Sequence, residues 1–208
     1  KTSEWAAGQV RDWYGRDAKG YQRYAAALEA ARQGRPAAGT ALAKLARDSA
    51  TPAIARATAT AGLGPYLSPA NIDVITKGLD VEDPLLRVAA LDALESVPLE
   101  IRTQLALPAL NDPVRSVRIE AARILAAVPA GDLTAGQQSQ LEQCIEEYLQ
   151  AQQAMAERPE AQVNTGNLYA ARGAELEVIG EVTNQYAGIA PDDPRMAEYW
   201  RVAEELDV

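Results

Sequence analysis

Between residues 39 and 128 the apolar positions recur at helical spacing, three or four residues apart, in short runs broken by a polar turn and a proline. The pattern predicts three helix pairs: 39–48 with 52–63, 69–79 with 84–97, and 99–111 with 113–128. The second helix of each pair carries an arginine, Arg56, Arg87 and Arg118, each 31 residues after the last. Small residues follow it: Ala57 and Ala59, Ala89 and Ala90, Ala121 and Ala122. Small side chains let helices approach closely, and Leu63, Leu94 and Leu125 are placed to fill the space beyond. Each second helix is preceded by a capping residue and a proline: Thr51-Pro52, Asp83-Pro84 and Asp112-Pro113. A cap's side-chain oxygen accepts an orphan backbone N–H, and a proline at the first helical position has no N–H to lose. Ser68-Pro69 repeats the device on a first helix. Pro108 falls inside the run 99–111 and is expected to kink it, because its ring clashes with the carbonyl four residues back. A fixed period of this size predicts a helical solenoid, one helix pair repeated and stacked.

The flanks read differently. The first 34 residues predict two helices. Ser3 caps the first, Trp5, Val10, Trp13 and Tyr14 form its apolar surface, and Gly15 stops it. The second carries Tyr21, Tyr24, Leu28 and Ala31 and ends at Gly34. Five large aromatics in the first 24 residues are expected to pack this hairpin onto the end of the repeats as a cap, the alternative being an adjoining domain or ligand. Residues 134–157 predict one long helix that opens on a capping box, Thr134 with Gln137, and stops at Arg158-Pro159. Residues 159–173, with Asn164, Gly166, Asn167, Tyr169 and Gly173, resemble the first helix of a tetratricopeptide repeat, and that resemblance implies a second helix at 174–187 and the start of another at 194–206. The chain divides into an N-terminal cap (1–36), repeats (37–130), a bridging helix (131–158) and a C-terminal region (159–208).

Charge and composition exclude several functions. The net charge is −9 and the pI about 4.7, with no stripe of Lys and Arg. Binding to nucleic acid or to an anionic membrane surface needs such a basic footprint. No apolar run approaches the roughly 20 residues of a membrane span, so no membrane insertion is expected. The chain contains no histidine and one cysteine, Cys144, which reads as a small buried hydrophobe. The acidic pairs Glu146-Glu147, Asp192-Asp193 and Glu204-Glu205 are sequence neighbours. On a helix these point in different directions and cannot share a proton, so they read as solvated faces. With no phosphate loop, metal-ligand spacing or nucleophile motif, no catalytic residue, metal or cofactor is expected in this chain. Starting at Lys1 without Met, it reads as a mature product or a piece of something longer, and a removed signal peptide is compatible with it.

The stretch from Leu107 to Leu125, with Pro108, Asp112, Val117, Arg118, Ala121 and Ala122, resembles a HEAT repeat. The resemblance implies an all-α, right-handed α–α superhelix. It implies too that Asp112 and Arg118 belong to an interior ladder, with Asp80 or Asp83 serving Arg87, whereas Arg56 has only Asp48 nearby. Asn164, Gly166, Asn167, Tyr169 and Gly173 resemble the first helix of a tetratricopeptide (TPR) repeat. That likeness implies that Asn164 and Asn167 face a concave groove, as in peptide-binding members, and that Tyr169 fills the gap beside the small glycine. The order of modules, from Trp13-Tyr14-Gly15 through HEAT-like repeats to a TPR start, is similar to the C-terminal part of bacterial multihaem c-type cytochromes. This chain departs from that family in having no CxxCH motif, so no haem is expected in it. The implied function is non-catalytic binding of a protein or peptide, or scaffolding within a larger exported, periplasmic electron-transfer protein whose adjoining haem domain would be one partner. The alternatives are a HEAT-type pigment lyase and a purely structural spacer.

Overall fold

The computed structural model describes residues 2–15 and 24–173, and among these the chain is all-helical, with ten α-helices and no strand. Helix α1 (Ser3–Tyr14) is capped by Thr2 rather than Ser3: the Thr2 hydroxyl accepts the Trp5 N–H at 3.2 Å, and Gly15 closes the helix in the left-handed region at φ 64°. None of its residues is buried, and Trp13 and Tyr14 are each 71% exposed. The expectation that these aromatics pack down as a cap therefore fails for Trp13 and Tyr14, since an apolar stripe is covered only where another element meets it. Tyr21 lies outside the described residues.

Helix α2 (Ala25–Arg32) packs on α3, and the Tyr66 hydroxyl ties it down by donating to the Ala31 carbonyl at 3.2 Å. Three pairs follow: α3 (Ala38–Arg47) with α4 (Ala53–Ala61), α5 (Pro69–Gly78) with α6 (Pro84–Leu94), and α7 (Leu99–Ala106) with α8 (Arg115–Leu125). The second helices pack in series, α4 on α6, α6 on α8, and α8 on the long helix α9 (Ala135–Gln153), against which α10 (Pro159–Ala171) lies. One apolar cluster runs from Leu42 in α3 to Leu168 in α10, and Leu63, Leu94 and Leu125 are fully buried within it. Burying each such leucine contributes roughly 1.5–3 kcal/mol.

Of the four caps expected ahead of a proline, two do not form as read. Ser68 accepts from Asn71 N–H (3.2 Å) and Asp83 from Leu85 N–H (2.9 Å), with Pro69 and Pro84 at the first helical positions. Thr51, however, caps nothing. Its hydroxyl donates to the Asp48 carboxylate at 3.0 Å, which also accepts the Ala50 N–H, so Pro52 takes the cap position of α4. The carboxylate is the stronger acceptor and organises the turn. Asp112 accepts the Val114 N–H at 2.8 Å in a turn ahead of α8, which starts only at Arg115. Helix α7 ends at Ala106, two residues before Pro108 and five short of the expected end at 111, and 107–111 form a 3-10 turn. That turn leaves the Leu110 carbonyl to Gln140 Nε2 (3.0 Å) and Cys144 Sγ (3.4 Å), both donors from α9.

Candidate functional site

The three periodic arginines sit at the same position of α4, α6 and α8 but meet different acceptors. Arg87 forks onto Asp112, Nε to Oδ2 at 2.8 Å and Nη2 to Oδ1 at 3.0 Å, while Nη1 donates to the carbonyls of Val81 and Glu82. Arg118 repeats the geometry one pair further on. Its Nε and Nη2 donate to Glu147 at 3.0 and 2.7 Å, and its Nη1 to the carbonyls of Asp112 and Pro113. Each guanidinium thus ties its own entry turn and reaches forward to a carboxylate of the next unit. Arg56 reaches back instead, with Nε on the Ala46 carbonyl at 3.1 Å at the end of α3.

This arrangement corrects the expected pairing. Asp80 and Asp83 do not serve Arg87, because the acid comes from the following helix pair rather than from the arginine's own. Arg118 takes the backbone oxygen of Asp112, whose carboxylate is already held by Arg87. Glu147 is no solvated bystander: it is the acceptor of a paired guanidinium. The Arg87 and Asp112 side chains are only 12% and 11% exposed. Burial pushes the Asp112 carboxyl up, but the Arg87 fork, the Val114 N–H and the nearby Arg118 charge together outweigh it and hold the group below its ordinary value. Bonding to Glu147 raises Arg118.

A second constellation was invisible in the sequence. Arg123 of α8 is ringed by three carboxylates: Glu120 at 2.7 Å, Glu95 at 2.8 Å and Asp92 at 3.3 Å, the last two from the C-terminal end of α6 and its cap. Burial pushes both Glu120 and Asp92 up, Arg123 opposing it in each case. The only signal available was that 92 and 123 are 31 residues apart, the spacing of the periodic arginines, which becomes meaningful once α6 and α8 are known to be neighbours.

On α10, Ala161, Thr165 and Leu168 form the buried face against α9. Asn164 and Asn167, three residues apart, lie together on a flank and are exposed. The Asn164 side chain donates to Gln152 Oε1 at 3.2 Å, and its carbonyl accepts the Tyr148 hydroxyl at 3.2 Å, so part of its hydrogen-bonding capacity is spent on α9. Tyr169, partly buried, lies about 200° round the helix from Asn167 and does not join the two asparagines. The partner helix expected at 174–187, and the helix start at 194–206, lie outside the described residues.

Cys144 is buried, and burial pushes its thiol up. Among the described residues no group of His, Cys, Asp and Glu could hold a metal ion, and no helix is long and apolar enough to cross a membrane. No protein-family model matches the chain, and neither a curated protein nor a solved structure does.

Proposed function

We propose that this chain is a non-catalytic helical-repeat module that binds a protein or peptide partner, or scaffolds a larger exported electron-transfer protein. In this reading residues 37–130 are HEAT-like repeats, 159–208 are TPR-like, and the whole winds as a right-handed α–α superhelix. The observation that carries the reading is the forward-reaching pair of forks, Arg87 to Asp112 and Arg118 to Glu147. They join successive units in one direction, as an array of stacked repeats requires. Such an array offers an extended face on which a few anchors supply most of the affinity. Asn164 and Asn167 are the contact residues on α10, since amide side chains both donate to and accept from a peptide backbone.

Chemistry within the chain is disfavoured on two counts. There is no histidine to serve as a general base. The one thiol is buried, hydrogen-bonded to a carbonyl and kept protonated, the reverse of a nucleophile's setting. The exposed Trp13 and Tyr14 fit a surface that an adjoining haem domain of a periplasmic parent would cover.

Two measurements test this. A photo-crosslinking residue placed at Asn167 in the native host should give a discrete protein adduct, and its absence from that site would remove α10 as a binding surface. A pyridine haemochrome spectrum of the full-length parent protein, isolated from its native host, should show c-type haem. A spectrum without haem removes the electron-transfer context and leaves the binding module.

A further inference from the structure

The layer made by the first helices of the pairs is interrupted. Helix α3 rests on α5, but α5 and α7 hardly touch, and a cleft of about 290 Å³ opens between them. Helix α7 ends at Ala106, and Pro108, in the 3-10 turn that follows, lines the cleft. The accessible apolar lining of the cleft includes Leu79, Leu105 and Pro108, and its rim carries Thr76, Asp80 and Gln104. The Arg87–Asp112 pair, which lines the same cleft, is internally neutralised. Asp80 is exposed and forms no ion pair among the described residues, so the rim is left with one net negative charge. A volume of this size stands at the low end of ligand pockets, about 300–1,000 Å³, and suits one large side chain rather than a cofactor.

We propose that this cleft is the anchor site for a partner peptide that presents one large apolar side chain with a lysine or arginine beside it. The apolar group enters between α5 and α7, and the cation pairs with Asp80. The proposal rests on the binding-module reading and adds to it the face used and the chemistry of the partner. Charge complementarity selects a cationic peptide over an acidic one, and the chain's own net charge of −9 acts in the same direction.

The probes are two blocked tripeptides, Lys-Trp-Lys and Glu-Trp-Glu, titrated into the full chain labelled with ¹⁵N. The lysine peptide should give saturable shifts at residues 76–80 and 104–109, and the glutamate peptide should bind at least about threefold more weakly. Asp80→Asn, an exposed change that disturbs no packing, should shrink that difference, and a difference left unchanged by it would overturn the proposal. Thr76→Trp should abolish binding by filling the mouth of the cleft; if that variant does not fold, Asp80→Asn alone decides. Equal binding of the two peptides would overturn the proposal, as would no saturable shift at the lining residues. Shifts confined to α10 around Asn164 and Asn167 would overturn the cleft while leaving the binding module intact. The module itself is judged by crosslinking at Asn167.

Discussion

At the residue scale, an arginine at the fourth position of three helices, α4, α6 and α8, contributes unequally because its acceptors differ. Arg118 is bonded to a carboxylate and to two carbonyls, whereas Arg56 makes one hydrogen bond to a carbonyl. Arg118→Ala should cost about 1–3 kcal/mol in chemical denaturation, because it strands partly buried Glu147. Arg56→Ala should cost no more than about 1 kcal/mol. Equal losses would mean that the guanidinium stems, rather than the forks, hold the helices. The lowered Asp112 carboxyl carries a pH signature. Its stabilising contribution is complete above the unfolded value near about 3.9 and is lost as pH falls through the lower folded value. The stability gap between the native chain and Asp112→Asn should therefore hold from pH 7 to about 4 and shrink below it. A gap that does not change with pH would show that Asp112 titrates alike in both states. The arginine spacing was plain in the sequence, but its acceptors were not. Asp112 and Glu147 lie 25 and 29 residues downstream of their arginines, and no local rule distinguishes them from Asp80 and Asp83.

At the element scale, helix pairing depends on close backbone approach and on satisfying what is buried. A Cβ added at Gly78 would lie 2.9 Å from the Ala90 Cβ, across the α5–α6 crossing. Gly78→Ala should therefore push the two helices apart and cost about 1–3 kcal/mol despite the better helix propensity of alanine. A gain in melting temperature would show the crossing to be loose. Between α6 and α8 the Arg123 cluster is the sensitive point. Arg123→Met leaves Glu120 buried without its cation and should cost about 1–3 kcal/mol at pH 7. The sign of its pH dependence is opposite to that of Asp112. A carboxyl raised in the folded state loses stability as pH rises through that raised value, so the variant should recover part of the loss between pH 7 and about 4.3. Helix bounds were legible because apolar period and proline punctuation are local. The departures came at Ser3, where Thr2 caps instead, at Thr51 and Asp112, where a neighbouring carboxylate and a delayed helix start changed who capped whom, and at the end of α7.

At the scale of the whole molecule, one apolar cluster joins α3 to α10, so a probe deep within it reports on the assembly as a whole. Cys144 is such a probe, packed between α9 and the 3-10 turn at 107–111. Its reaction with a thiol reagent should be slow in the native protein and should track global unfolding in denaturant; fast reaction under native conditions would show that α9 detaches by itself. The sequence by itself determined the all-helical class, the three helix pairs, the long α9 with its capping box, and the leucines at the core, because each follows from local periodicity and from the chemistry of prolines and caps. It also placed Asn164 and Asn167 on one flank of α10, since helical geometry alone brings residues three apart together. The tertiary structure alone decided that Arg87 and Arg118 reach forward to the next unit, that Arg123 gathers carboxylates from two helices, that Trp13 and Tyr14 stand exposed, and that a cleft opens between α5 and α7. Each of these depends on which helices become neighbours and at what distance, and that is settled by packing across the chain rather than by any stretch of it.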